Sequence, residues 1–364
     1  LAGAVLLLVA LGLVMVASAS VAIAERRLGE PLYYFYRHLF YVAAGLAAAG
    51  TALALPLTLW RRLSGFLLMT GIVLLGAVLI PGIGREVNGS MRWIGLGAFN
   101  LQPSELVKVF MWLYLAGYLV RRGEEVRGAL SGFAKPLVLL MVIAVLLLLE
   151  PDYGATAVLF ATVLGMLFLG GVPLVRFSGW LLAALAILAA AAAVAPYRLE
   201  RLTSFLDPWA DPFASGFQLT QALMAIGRGE WLGVGLGNGV QKLFYLPEAH
   251  TDFLFAVLGE ELGFAGMALV LGLFTFIAWR AFAIARRAER AGAPFGAYLA
   301  YGIGLGITVQ ALVNVGVNLG VLPTKGLTLP LMSYGGSSMV ANGLAVGLLL
   351  RLDGELRRGE GRRP

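Results

Sequence analysis

Ten stretches of this chain are apolar over most of the length needed to cross a lipid bilayer, and that limits the fold before any motif is read. A spanning helix needs about 20 mostly apolar residues. The candidates lie near 2–24, 39–57, 65–80, 104–120, 136–150, 154–171, 177–195, 252–280, 296–320 and 336–351. Those at 65–80 and 136–150 are short, so their boundaries are soft. With 60% hydrophobic and 13% charged residues, no soluble domain interrupts the runs. The expected fold class is an all-α polytopic membrane protein, one integral-membrane domain over 1–364.

Loop charge sets the orientation. The segments 60–64, 121–135, 172–176, 280–295 and the tail from 351 hold 16 Lys and Arg against 6 acids; the rest holds 11 against 14. The net charge of +7 thus splits into +10 and −3, which places the first set and both chain ends in the cytoplasm. The loops 81–103, 196–250 and 320–336 are then extracytoplasmic, and the tail 352–364 is cytoplasmic. The chain begins at Leu1 rather than Met, so a preceding cytoplasmic tail is expected, and nothing resembles a cleavable signal peptide. The basic surplus is a topology signal; no basic–aromatic surface motif supports nucleic-acid binding. Without cysteine, and with His38 and His250 alone, disulfides, thiolate metal sites and a histidine-rich zinc centre are excluded.

The stretch that organises the polar residues is Leu246–Phe264, LPEAHTDFLFAVLGEELGF, where a long polar loop meets a membrane helix. Pro247 suits a first helical turn, and Thr251 or Asp252 can accept from its free N–H groups. Ala256, Gly259 and Gly263 fall on the face of Asp252, a small-residue stripe that admits a second helix closely. Asp252 is therefore either a helix cap or a functional carboxylate facing protein or a cavity.

The other polar clusters gather on the same side. The glycine-rich loop 81–104 carries Arg85, Arg92 and Trp93, and Pro103 opens the next helix. Glu105 and Lys108 share a face in its first turns. They are either an internal ion pair or, as favoured here, a lysine offered to an anionic substrate and positioned by the glutamate. Asp152, in the turn Glu150–Gly154, caps a helix or joins the site. Tyr33, Tyr34 and Tyr36 are expected to anchor the outer interface. The loop 196–250 is long and aromatic, and its FQLTQALMAIG piece reads as a short amphipathic, re-entrant or lid helix. Its glycine run 233–239 lacks the βαβ setting of a nucleotide loop and is read as tight turns. Lys242, Glu248 and His250 approach Asp252 along the chain, and Lys325 and Ser337 lie in the last outer loop and helix start. Asn314 and Asn318 are read as helix–helix hydrogen bonds. With no internal repeat and no mid-membrane charges, a transporter pattern is absent. A cationic rim about one carboxylate suits an anionic, lipid-linked substrate at the outer leaflet.

Four motifs carry a resemblance over nearly the whole chain: Asn88-Gly-Ser-Met-Arg-Trp-Ile94, Gln102-Pro-Ser-Glu-Leu-Val-Lys108, the Leu246–Phe264 stretch, and SYGGSS at 333–338. Together they resemble the SEDS family of cell-wall polymerases. The segments 207–230, 322–338 and 349–353 resemble its FtsW, or septal, branch more than its RodA branch. Met91 and Glu150 depart from the family, which often has a basic or polar residue and Gln there. The resemblance implies a peptidoglycan glycosyltransferase acting on lipid II, the undecaprenyl-pyrophosphate-linked disaccharide pentapeptide. It implies a catalytic role for Asp252, cavity roles for Glu105, Lys108 and Asp152, and a supporting role for Arg92. It also implies a divalent cation, Mg2+ or Mn2+, with Asp252, Glu105 and Asp152 as candidate ligands. Its expected partners are a class B penicillin-binding transpeptidase of FtsI type and the FtsQ–FtsL–FtsB activator. The reaction expected is an inverting glycosyl transfer with Asp252 as base. Lys108, Arg92, Lys325 or the cation would stabilise the leaving pyrophosphate. A lipid II flippase and a non-enzymatic scaffold for the transpeptidase are the rival readings.

Overall fold

The computed structural model describes residues 1–364 except 88–89, 98, 174, 176–177, 180–181, 183–185, 187–204, 215, 324–325 and 361–364. Ten helices stand among the described residues: α1 (Ala2–Leu28), α2 (Tyr33–Ala54), α3 (Leu57–Val78), α4 (Pro103–Gly128), α5 (Leu130–Leu149), α6 (Tyr153–Leu169), α7 (Phe217–Gly229), α8 (Leu254–Arg290), α9 (Pro294–Asn318) and α10 (Gly336–Glu360). Nine coincide with expected spans, and α7 is the expected amphipathic helix. The span expected at 177–195 lies almost entirely outside the described residues.

Five of these helices, α1, α3, α5, α8 and α9, are long and apolar enough to cross a membrane by composition, and α6 is apolar but shorter. The more polar α4 and α10 have a different environment. Nearly every residue from Pro103 to Leu119 and from Ser337 to Leu349 is buried, so these helices meet protein rather than lipid. The lipid-facing role falls to outer helices. Val138, Val142, Val145 and Leu149 make one exposed apolar stripe on α5, as Phe66, Met69 and Val73 do on α3.

The α2–α10 contact depends on small residues. A Cβ at Gly343 would lie 2.1 Å from the Gly45 carbonyl oxygen, and one at Gly347 would lie 2.5 Å from that of Ala49. The two backbones therefore touch, as small-residue interfaces allow.

The loop after α3, read from the sequence only as polar and glycine-rich, has regular structure. It folds into a three-stranded antiparallel sheet, β1 (Gly84–Val87), β2 (Ser90–Leu96) and β3 (Phe99–Leu101), in the order β1-β2-β3. The register pairs Val87 with Ser90. The sequence between those two residues is Asn-Gly, the strongest short-range hairpin signal that a sequence carries.

The helix begun at Leu254 is also broken. Gly263 has φ 63° and ψ −163°, and the backbone groups freed there find partners in residues 230–235. Val234 N and Gly235 N donate to the carbonyls of Glu260 and Glu261, while Phe264 N and Ala265 N donate to those of Glu230 and Trp231. The small stripe on α8 consequently receives α7, whose Gly229 lies directly against the Gly259 carbonyl, instead of a second long helix. The glycine run that follows wraps two buried glutamates. Glu260 accepts from Val240 N and Gln241 N, and Glu261 from Gly237 N. Both re-entrant character and tight turns were expected of this loop; the two glutamates were not.

Gly343→Ala is expected to lower the melting temperature of the detergent-solubilised protein, at a cost of about 1–3 kcal/mol from overpacking. Gly272→Ala, where an added Cβ meets open space, should leave it unchanged or slightly raised.

Candidate functional site

Asp252 sits in the turn one residue before the α8 N-cap, Phe253. It does not cap the helix, so the first of the two sequence readings fails. The helix starts later than Pro247 suggests because residues 246–253 are held as a compact turn. Leu246 N donates to Gln241 O, Thr251 N and Phe253 N donate to Glu248 O, and the Thr251 hydroxyl donates to the Glu248 carboxylate at 2.8 Å.

Two sides grip this turn. On one, the Asp252 carbonyl accepts from Asn314 Nδ2 at 2.9 Å and Asn318 Nδ2 at 3.0 Å. Asn318 Oδ1 in turn accepts from Ala256 N at 3.0 Å, satisfying an amide of the first turn of α8. On the other side, Tyr334 N donates to the His250 carbonyl at 3.0 Å, and the His250 ring packs between Tyr34 and Tyr334. Sequence reading placed the two asparagines in helix contacts without seeing what they hold. It also missed Gln310, one turn before Asn314. Gln310 Oε1 accepts from Lys108 Nζ at 2.6 Å, and its Nε2 donates to the Thr328 carbonyl. Three amides at 310, 314 and 318 on an apolar helix, spaced by four, were the signal available.

The Asp252 carboxyl is half-buried and takes no hydrogen bond among the described residues. Its cation is Arg92. From β2 that side chain crosses to the α5–α6 turn, where Nε donates to the Glu150 carbonyl at 3.1 Å and Nη2 to the Pro151 carbonyl at 2.5 Å. Nη1 is left facing the site. A Cβ built on Gly326 would be 3.7 Å from it and 3.2 Å from Asp252 Oδ2, so guanidinium and carboxyl confront each other across a glycine. Burial pushes the Asp252 carboxyl from 3.8 up to about 7; Glu248 and Asp152 add to the rise and Arg92 opposes it.

Several expected site residues are engaged elsewhere. Lys242, expected to meet substrate, is buried with its Nζ 2.6 Å from Glu261 Oε1 and 2.7 Å from Ser18 Oγ, which locks the loop to α1 and α8. Ser337 Oγ accepts from Gln102 N at 2.8 Å and donates to the Asn100 carbonyl, so it stitches β3 to α10 and is not held open for an anion. Glu105 and Lys108 form a closed, buried ion pair at 2.8 Å. With Gln310 as its second partner, Lys108 ties α4 to α9, which is the internal-pair reading and not the favoured one. Asp152 is the N-cap of α6: Oδ1 accepts from Ala155 N, and Oδ2 from Ser104 Oγ and Gln102 Nε2. His250 is packed in an aromatic box, where burial lowers its pKa, and its buried Nδ1 has no hydrogen-bond partner among the described residues. Glu248 stays beside Asp252 as a field source. Lys325 lies outside the described residues.

Glu150 acquires an account that the sequence did not supply. Both its carboxyl oxygens are buried without a hydrogen bond, and burial, helped by Asp152 against Arg92, raises it from 4.5 to about 8. At neutral pH it is an uncharged acid of the size and polarity of the amide often found there.

These residues do not fit a metal centre of their own. Among the described residues no three His, Cys, Asp or Glu side chains come close enough to hold an ion. Glu105 is tied to Lys108, and both Asp152 oxygens are taken.

Residues 1–358 match the model of the cell cycle protein family that groups FtsW, RodA and SpoVE. The chain belongs to this family. It is 60% identical over 359 residues to a probable peptidoglycan glycosyltransferase FtsW of Nitrosococcus halophilus, covering 98% of this chain and 92% of that one. The corresponding protein of Hahella chejuensis is 56% identical over 360 residues, covering 99% and 91%. Among solved structures, a chain from a peptidoglycan synthase complex that coordinates polymerization and crosslinking superposes with a TM-score of 0.75 at 32% identity, with 97% of each chain covered. The rod shape determining protein RodA of Thermus thermophilus gives 0.69 at 30% identity, covering 97% and 95%. Like these, the chain is a polytopic membrane protein.

In substrate-free protein kept in chelator, the Asp252 carboxyl should titrate with a midpoint near 7, read as the infrared carboxylate band that Asp252→Asn removes. Glu248→Gln removes a raising charge and moves the midpoint down; Arg92→Gln removes the lowering one and moves it up. Glu150→Gln, neutral for neutral, leaves it in place. A midpoint near 4 would refute the buried setting described above.

Proposed function

We propose that this chain polymerises lipid II into glycan strands at the outer face of the cytoplasmic membrane during septal wall synthesis, with Asp252 as general base. The observation that carries the reading is the approach of Asp252 and Arg92 to each other across Gly326. One unbonded carboxyl, raised toward neutrality, faces one free guanidinium arm, and every other described cation of the expected set is tied up in structural bonds.

The chemistry follows from those two groups. The acceptor sugar's 4-hydroxyl loses its proton to the Asp252 carboxylate as its oxygen bonds to C1 of the donor sugar. The C1–O bond to the lipid pyrophosphate breaks from the opposite side, and the leaving group departs with the electron pair. One base on the attacking side gives inversion, in contrast to the paired carboxylates of retaining glycosidases. A base whose pKa lies near the working pH is best matched to the task. Arg92 is already fixed by two carbonyls, so its free arm can meet developing phosphate charge without reorganising.

A divalent cation, Mg2+ or Mn2+, belongs to the proposal as a companion of the pyrophosphate, carried on phosphate oxygens and water. A class B penicillin-binding transpeptidase of FtsI type is the proposed partner, supported by the similarity to a synthase that couples polymerization to crosslinking. FtsQ–FtsL–FtsB is proposed as its activator, and both chain ends are proposed to lie in the cytoplasm, a reading that the loop charges support.

Purified protein in detergent, given lipid II with and without the transpeptidase, should make glycan polymer at a rate that rises with pH through about 7. Asp252→Asn should abolish polymer, by a thousandfold or more, while melting stays close to that of the parent. Lipid II transport that persists in vesicles of the Asp252→Asn protein would favour a flippase, and unimpaired cell division with that variant would favour a scaffold.

A further inference from the structure

At the end of the bundle opposite Asp252, a cavity of about 700 Å3 opens between the start of α3, the α8–α9 turn and the end of α10. α8 itself relates the two places, since it begins beside Asp252 and ends at Arg290 in the cavity wall. The floor is apolar, built from Leu57, Phe295, Leu352 and Leu356, all buried. The rim is cationic, with Arg61, Arg287 and Arg290 against a single lining acid, Glu355.

The acids near that rim are already neutralised. Glu355 accepts from Arg351 Nε at 2.7 Å. Asp353 is paired with Arg280 at 3.7 Å, with Arg357 at 2.9 Å and with Arg287. Arg61 and Arg290 are exposed, and neither has an ion pair among the described residues. α9 starts at Pro294 in the same wall, so the positive end of its dipole adds to the field there. The cavity therefore holds uncompensated positive charge above a greasy floor.

We propose that this cavity binds the phosphate headgroup of an anionic membrane phospholipid, with Arg61 and Arg290 on the phosphate and the acyl chains leaving over Leu57, Leu352 and Leu356. Two features favour a lipid over a soluble phosphate. A rim alone would serve a small anion, whereas this space is several times larger than one phosphate and has an apolar base. The basic loops also put this face at the level of the cytoplasmic headgroups, where anionic lipids lie. Arginine suits the role because its planar fork meets phosphate oxygens in pairs.

The test uses the whole chain in a mild detergent, with phosphatidylglycerol or phosphatidylcholine added and bound lipid counted by native mass spectrometry. Phosphatidylglycerol should be retained in preference, and the double variant Arg61→Gln/Arg290→Gln should weaken its binding about tenfold or more at low salt. The control pair Arg62→Gln/Arg358→Gln removes the same charge from the same face outside the cavity, and should change binding less than about twofold. Equal losses in both pairs, or no preference over phosphatidylcholine, overturns the proposal in favour of a diffuse positive surface. Displacement by excess inorganic phosphate alone overturns it in favour of a soluble anion. Should the double variant melt early, Arg61→Gln carries the test by itself, since its side chain is exposed and outside every ion pair described; a loss of about threefold or more supports the site, and a smaller one overturns it.

Discussion

The carbonyl of Asp252 has no helix to bond to, and the structure of the outer face follows from how that is resolved. Residues before α8 lie outside the helical ladder, and a buried peptide oxygen without a partner costs on the order of 1–3 kcal/mol. Asn314 and Asn318 both donate to it, and Asn318 answers the N–H of Ala256 with its own oxygen. One face of α9 thus replaces the missing turn of α8. Four residues earlier the same face offers Gln310, which joins the Lys108–Glu105 pair of α4 and the Thr328 carbonyl of the last outer loop. The orientation of the Asp252 side chain is set by its backbone, and the backbone is set by amides from another helix.

Charge is distributed around that turn by a simple rule: cations that are buried are closed. Lys108 and Lys242 each carry two short bonds and sit at or below 6% exposure, as the cost of burying an unpaired ammonium demands. Arginine escapes the rule through its shape. Arg92 gives two of its nitrogens to neighbouring carbonyls and still keeps Nη1 for the site, which a lysine cannot do. The acids divide in the same way. Asp152 and Glu261 are satisfied by several donors, whereas Asp252 and Glu150 lack donors and are pushed toward the neutral form.

What could be read from the sequence was whatever is local. The spans, the amphipathic α7, the Pro103 start of α4 and the position of Asp252 before a helix all depend on residues within a turn or two of each other. The pairing of β1 with β2 was equally local, with Val87 opposite Ser90, but the sequence reading took that stretch only as a polar, glycine-rich loop. What stayed hidden depends on partners far along the chain. Ser18 meets Glu261 across 243 residues and Lys108 meets Gln310 across 202, and no periodicity announces either pairing. The partners of Lys242 and Ser337 were hidden for that reason: proximity to Asp252 or to a helix start predicts where a side chain begins, not what it reaches. The break at Gly263 was hidden too, because glycine at that position fits a smooth small-residue face as well as it fits a left-handed kink.

The polar interior is possible only because lipid does not touch it. α4 and α10 contain charges, amides and serines that would be costly in hydrocarbon, and both are enclosed by protein along most of their outer halves. The helices that do face outward, α3, α5 and α8 among them, present Phe66, Val142 and Phe276 and keep their ionisable residues at the ends or turned inward. The same enclosure covers the outer turn only in part: Asp252 and Arg92 are half-buried, and Gly326 between them is exposed. In that setting burial pushes the unbonded Asp252 carboxyl up toward neutrality, and the Arg92 guanidinium opposes the rise. The burial that makes the fold a membrane protein is therefore the same burial that brings Asp252 to a pKa at which it can accept a proton.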